Sequence, residues 1–245
     1  MLTYYKCIPT SEKNGVIQVV DNCVTNGYLQ KKGANSRMKA MFSAFSTDAI
    51  KKWLLENNPS PQEFSECQRK FTYSCAGYCV SSFVLGLGDR HCVSTPKNFF
   101  SLLFSLKFCL KDNIMISKDG KLFHIDFAYF LGHKTTFGPI NRETSPFIFT
   151  PEHLEVIGNK NSENFKKFVE ICCEGYNSLR RNANLILTLL CLMLSTGIPQ
   201  LTSYEDIFWV KDALRLDLTE EEATIYFTKL IHDSCGSWTT LVNNA

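Results

Sequence analysis

The feature that most constrains this chain is an Asp119-Gly120 pair set between two short apolar runs, Asn113 to Ile116 and Lys121 to Ile125. Asp-Gly flanked in this way is a strong hairpin signal, because a tight two-residue turn needs positive φ at its centre. With Asp119-Gly120 as the turn, Lys118 faces Lys121, Ile116 faces Phe123, and Asn113 stands directly opposite Asp126. Their Cβ atoms would then lie roughly 5 Å apart. An amide oxygen and a carboxylate on one side of a hairpin end suit a hard cation, magnesium in particular, which keeps waters and bridges substrate phosphates. The same two residues also suit the polar ends of an ordinary hairpin, so register alone leaves both readings open.

The neighbouring residues favour chemistry. His124-Ile125 precede Asp126 and Phe127-Ala128 follow it, while Gly88-Asp89-Arg90-His91 ends a helix-like stretch opened by Pro61. An acid, a titratable imidazole and two oxygen donors form the inventory of phosphoryl transfer, where the protein aligns the nucleophile and neutralises charge on the phosphoryl oxygens. Histidine titrates near neutrality and so accepts a hydroxyl proton. An isolated histidine is more usually a hydrogen-bonded, partly buried side chain.

Taken together, GLGDRH, DNIMI, KLFHIDFAYFLG, FGPINRETSPFIFT, LRRN and SWTTLVNN resemble the catalytic domain of class I phosphoinositide 3-kinases, within the phosphatidylinositol 3-/4-kinase family. The resemblance runs through nearly the whole chain. Its most specific element is the order DRH, NIM, HIDF, which separates lipid-kinase-like enzymes from ordinary protein kinases. It implies His91 as catalytic base or transition-state stabiliser, Asp89 as its catalytic-loop partner and Arg90 as a brace for that loop. Asn113 and Asp126 become magnesium ligands for bound ATP. Val16 to Val20 becomes the strand into the hinge, with backbone groups of Gln18 and Val20 on the adenine edge and Tyr4, Met115 and Ile125 as apolar walls. An ordinary buried strand explains Val16 to Val20 equally well.

The loop after Asp126 is where such enzymes choose a lipid. Class I relatives carry a Lys-Arg-Glu-Arg box before Val-Pro-Phe; this chain has Asn141-Arg142-Glu143-Thr144 before Ser145-Pro146-Phe147, with Lys134 earlier. One of three positive charges remains, so phosphatidylinositol or its monophosphate is expected over the bisphosphate. Lys134 and Arg142 are the expected lipid-facing residues, although solvated loop charge explains them as well. Ala128 stands where kinases usually have glycine, which is harmless at negative φ and costs roughly 1 to 2 kcal/mol in the left-handed region.

The largest departure lies between His91 and Asn113, where relatives place two residues and this chain has twenty-one. Closing the longer loop costs the fold roughly 2 kcal/mol, at about 0.6 kcal/mol per doubling of length. Catalysis tolerates less, since a displacement near 1 Å costs about 100-fold in rate. Residues 93–111 include the apolar run Phe99 to Leu106, which must pack, bind something or be absent from the mature protein. Val93-Ser94 is encodable as GTAAGT, a splice donor, and Lys111 as AAG; removing nineteen codons keeps frame and leaves GDRHCDNIMI. A retained intron is the expected explanation, with a lineage-specific insert or a membrane-dipping loop as alternatives.

The fold class expected is α+β, a protein-kinase-like fold. Residues 1–21 form the end of an N-lobe and the hinge, and 22–245 a mostly helical C-lobe with a catalytic β-hairpin and an activation loop at 126–147. Family members carry their glycine-rich loop and nucleotide lysine before the segment matching Met1-Leu2, and a tail after the SWTT match, so the chain reads as a fragment. Helices are expected at Ser46 to Asn57 with Ser46 or Thr47 as N-cap, from Pro61 to Gly86 or Gly88, and at Glu163 to Arg181. Others follow at Ala183 to Ser195, buried in the core, then Tyr204 to Leu214 and Glu220 to His232. The 245 residues, 44% of them hydrophobic, suffice for a substantial core. A net charge of +2, from 26 basic and 24 acidic residues, gives no global field of the kind that marks nucleic-acid binding. Eleven scattered cysteines, without a secretory signal, point to a reduced cytoplasmic setting. The partners implied by resemblance are a phosphoinositide at a membrane surface, where the protein sits peripherally, and a regulatory subunit. An inactive kinase-like remnant and a related protein Ser/Thr kinase remain as alternative functions.

Overall fold

A computed structural model of the chain describes residues 3–11, 14–33, 47–87, 113–125, 127, 130–133 and 146–243, excluding the side chains of 30–33 and 236–243. The chain enters through an antiparallel pair, β1 (Cys7–Ser11) and β2 (Asn14–Ile17). A second antiparallel sheet has the order β3 (Cys23–Thr25), β4 (Ile114–Ser117), β5 (Leu122–His124). The remaining described elements are mostly helical, as an α+β kinase-like fold requires: α1 (Asn26–Gly33), α2 (Ala49–Asn57), α3 (Pro61–Val84), α4 (Pro151–Ile157), α5 (Glu163–Arg181), α6 (Ala183–Met193), α7 (Tyr204–Ala213) and α8 (Glu220–Asn243).

Local chemistry accounts for the long helices. Ser60 caps α3 through its hydroxyl to the Glu63 N–H, the Glu63 carboxylate returns to the Ser60 N–H, and Pro61 occupies the first turn, where its missing donor costs nothing. The helix stops because the chain reaches Gly86 at φ +57. Ser162 caps α5, whose last turn carries Arg180 and Arg181 opposite the helix dipole. Arg180 spreads its guanidinium over the carbonyls of Leu214, Arg215, Leu218 and Thr219, tying the end of α5 to the loop before α8. Between α3, α5 and α8 lies a core of Phe71, Cys75, Cys79, Phe168, Cys172, Tyr176, Phe227 and Ile231. Tyr176 stacks on Phe227 at 4.6 Å and donates to the Ala213 carbonyl at 2.7 Å. Burial pushes its phenol well above the usual range. The nine cysteines among the described residues are free thiols.

Helices α1 and α4 were not expected, α8 runs to Asn243 and not to His232, and two more depart in their start or burial. The first begins at Ala49, with Asp48 in the flanking position making no side-chain cap bond and its carboxylate paired instead with Lys52 at 2.6 Å. The second is α6, expected to be buried throughout. It ends at Met193, continues as a 3-10 turn over Leu194–Thr196, and buries only Ala183 and Leu190, leaving Leu185, Leu189, Leu192 and Met193 exposed. An almost uniformly apolar helix has no polar stripe to mark its outer face, so composition alone could not reveal it. Among the described residues no helix is long and apolar enough to cross a membrane.

The hairpin forms, in a different register. Ile116 pairs with Leu122, Met115 with Phe123 and Ile114 with His124. The Ile125 N–H donates to the Asn113 carbonyl at 2.9 Å, so Asn113 faces Ile125 and not Asp126. The turn takes three residues, Lys118-Asp119-Gly120, closed by Gly120 N–H to the Ser117 carbonyl and Ser117 N–H to the Lys121 carbonyl, both 2.9 Å. A type I turn followed by a left-handed residue inserts one more position than a two-residue turn and slips the ladder by one. The surroundings favour it. The Ser117 hydroxyl bonds the Asp119 carboxylate at 2.6 Å, and Asn58 and Asn22 hold the Lys118 backbone at 2.8 Å each. Gly120 sits at φ +92, and a Cβ there would lie 2.4 Å from the Cys67 carbonyl oxygen on α3. Gly120→Ala is therefore expected to destabilise the protein by at least about 2 kcal/mol, read as a lowered urea midpoint.

Candidate active site

The slipped register sorts the hairpin into two faces. Ile114, Ile116, Leu122 and His124 are buried on the side packed against α3. The opposite face carries Asn113, Met115 and Ile125, all half-buried, with Phe123 buried between them. Three of the predicted site residues thus share one face, because they occupy alternate positions of paired strands. Asp126, the other predicted magnesium ligand, lies outside the described residues. So do Asp89, Arg90 and His91, the expected lipid-facing residues Lys134 and Arg142, Ala128 and the whole of 93–111. The derivation that set Asn113 opposite Asp126 fails with the register, and the pairing of these two residues around a cation rests on the resemblance alone.

On the N-terminal side, Tyr4 does not wall a cleft; its side chain is 86% exposed. Its neighbour Tyr5 reaches across, and its hydroxyl donates to the His124 carbonyl at 3.2 Å. The sequence offers both tyrosines side by side, and only the strand's alternation, set by β1, decides between them. Beyond β2 the chain keeps its ladder for one more residue: Gln18 N–H donates to the Lys6 carbonyl at 2.8 Å. The return bond is diverted, for Lys6 N–H donates at 3.2 Å to the Gln18 side-chain oxygen instead of its carbonyl. The Val20 carbonyl accepts from the Cys23 thiol at 2.7 Å. Among the described residues this leaves the Gln18 carbonyl and the Val20 N–H as an unused acceptor and donor. Val16 to Val19 are exposed, so the ordinary buried strand considered for this segment is excluded.

Residues that the sequence did not single out join the end of α3 to the segment at 131–133. Leu131 N–H donates to Leu85 O at 2.7 Å and Gly132 N–H to Gly86 O at 3.1 Å, joining the end of α3 to the segment that follows Asp126. Leu131 is buried at φ +57, a conformation rarely tolerated by a branched side chain. His133 Nε2 lies 3.0 Å from Asp206 Oδ1 on α7. Burial disfavours ionisation of Asp206, yet N–H bonds from Thr202 and Ser203 and the His133 ring outweigh it and hold the carboxyl below the usual carboxylate range. The one signal available in the sequence was the repeated Leu-Gly at 85–86 and 131–132, followed by Leu87 and His133.

Comparison with known proteins adds the following. The family described as Phosphatidylinositol 3- and 4-kinase matches residues 1–93 and 111–203, leaving 94–110 outside both stretches. The chain is 44% identical over 244 residues to Phosphatidylinositol 3-kinase 3 of Dictyostelium discoideum, covering 100% of this chain and 13% of that protein. It is 38% identical over 244 residues to the human Phosphatidylinositol 4-phosphate 3-kinase C2 domain-containing subunit beta, covering 99% of this chain and 13% of the relative. The human Phosphatidylinositol 3-kinase C2 domain-containing subunit gamma is 38% identical over 242 residues, with 98% and 15% covered. The chain therefore spans about an eighth of the length of these relatives.

Proposed function

Because this chain belongs to the phosphatidylinositol 3- and 4-kinase family, we propose that it supplies the hinge and C-lobe of a catalytic site that transfers the ATP γ-phosphate to the 3-hydroxyl of a phosphoinositide. The observation that carries this reading is the diverted Lys6 bond, which spares a carbonyl at Gln18 beside an unused N–H at Val20. An acceptor and a donor two residues apart suit the amino group and ring nitrogen of adenine. Met115 and Ile125, half-buried on the hairpin face, offer apolar contact to the purine.

In this reading His91 takes the proton of the lipid 3-hydroxyl while its oxygen bonds the γ-phosphorus and the bond to the departing ADP breaks. Asp89 orients the imidazole and Arg90 braces the loop. An amide oxygen at Asn113 and the carboxylate of Asp126 are donors of the hard type that magnesium takes. When bound, the ion would neutralise charge on the β- and γ-phosphates. Work on a lipid places the protein peripherally on the cytoplasmic face of a membrane, and a regulatory subunit belongs to the same proposal.

Lys134 and Arg142 are proposed to face the head group, and the thinned basic box sets its identity. Phosphatidylinositol or its 4-phosphate is expected to be turned over at least about tenfold faster than the bisphosphate, since each missing charged contact to a phosphate forfeits roughly 1.5 kcal/mol or more. The name of one relative, a phosphatidylinositol 4-phosphate 3-kinase, supports this reading. A panel of lipids in vesicles of equal charge tests it, and a strong preference for the bisphosphate refutes it. The second reading, an inactive remnant, is favoured by one observation: the family match breaks between His91 and Asn113.

A further inference from the structure

We propose that α7 is a brace shared by the two segments that carry the chemistry, with Trp209 and the Asp206–His133 pair as positioning residues for the transfer. The inference rests on the phosphoryl-transfer reading above and assigns to α7 a role that no motif in the sequence announces.

Gly86 and Gly132 both have positive φ, +57 and +75, and both lie close against the indole of Trp209. A Cβ on Gly86 would fall 2.2 Å from Trp209 Nε1, and one on Gly132 would fall 2.2 Å from Cε3. Each glycine therefore lets its backbone touch one edge of a single ring. The same two backbones are hydrogen-bonded to each other, Gly132 N–H to Gly86 O and Leu131 N–H to Leu85 O. The ring thus holds a two-bond junction between the end of α3 and the segment six residues beyond Asp126. In sequence, Gly86 precedes Asp89 by three residues and His91 by five. A shift of the junction therefore moves the roots of both.

Asp206 stands one turn before Trp209 on the same face of α7. Its Oδ1 meets His133 at 3.0 Å, while Oδ2 accepts from the N–H groups of Thr202 and Ser203 at 2.8 and 2.9 Å. The carboxylate cannot turn towards another partner without uncapping its own helix. His133 follows Gly132 directly, so ring and carboxylate grip adjacent residues of one segment. Packing alone needs only the indole; a second, directional contact next to it fixes rotation about the first.

The test uses the intact protein with Trp209→Ala, Trp209→Phe and His133→Ala, the last leaving the α7 cap untouched. Steady-state kinetics are read beside amide hydrogen exchange at Leu131 and Gly132. Trp209→Ala is expected to lower kcat about 10- to 100-fold with KM for ATP within about twofold, because the Gln18–Val20 edge is untouched. Trp209→Phe should recover most of the loss, and His133→Ala should show a smaller fall in the same sense. Exchange at Leu131 and Gly132 should quicken in Trp209→Ala while core amides of α5 keep their protection. The proposal is overturned by unchanged exchange at those two amides, by faster exchange with kcat unchanged, or by loss of protection throughout the lobe with kcat and KM falling together. Should the wild-type protein transfer no phosphate, the functional reading fails on its own, and unchanged exchange at Leu131 and Gly132 still decides against the brace.

Discussion

Protein made without residues 93–111 is expected to transfer phosphate at least about 100-fold faster than protein that carries them, while its stability rises by only roughly 2 kcal/mol, a few degrees in Tm. The two effects separate because they depend on different physics. Loop closure depends on length only logarithmically, so nineteen extra residues leave the fold affordable. Transfer requires His91 and Asn113 to act on the same phosphoryl group within a fraction of an ångström, and the added segment lies between them in the chain. The family match stops at 93 and resumes at 111, nearly the boundaries that the coding pattern suggests. Sequencing the transcript across Cys92 and Asp112, with kcat measured for both forms, decides the matter. A mature message that retains the segment, together with equal activity of the two forms, makes it a benign insert.

His91→Ala is the second large expected effect, a fall in kcat of about 100- to 10,000-fold, the range over which a positioned acid or base contributes. KM for ATP should change little, because the adenine edge proposed at Gln18 and Val20 is built from backbone groups of a different segment. A rise in KM with kcat preserved would assign His91 to binding and remove it from proton transfer. Steady-state kinetics over pH add a second readout: the variant should lose the limb that reports a group titrating near neutrality.

The helices were legible wherever caps and terminators wrote their own boundaries. Pro61 opened α3 and Gly86 closed it, and the bounds expected from Glu163 to Arg181 are those of α5; the Ser60–Glu63 and Ser162 caps that fix the two starts came from the structure. Features set by tertiary contact were not legible. Asp119-Gly120 announced a turn, but its length was chosen by Ser117, Asn58, Asn22 and the carbonyl of Cys67, none of which a local pattern contains. One residue of slip was enough to replace Asp126 with Ile125 opposite Asn113. Likewise Tyr4 and Tyr5 are equivalent as letters, and the strand's alternation sends only Tyr5 to the His124 carbonyl. Ile125 joins Asn113 and Met115 on one face only because of the slip, since in the expected register it stood opposite Ile114 on the other face. Trp209 lay beyond reach of any sequence argument, being brought to Gly86 and Gly132 across more than seventy residues of chain. The exposed side of α6 was hidden for the opposite reason, because leucine fills its inner and outer positions alike.

The most direct measurement is γ-phosphate transfer to phosphatidylinositol in vesicles by the intact protein lacking residues 93–111, followed as magnesium is titrated, with Asp126→Asn alongside. Label appearing at the 3-position, dependent on magnesium and lost in Asp126→Asn, is the predicted result. A protein without the segment that transfers no phosphate and binds no nucleotide contradicts it.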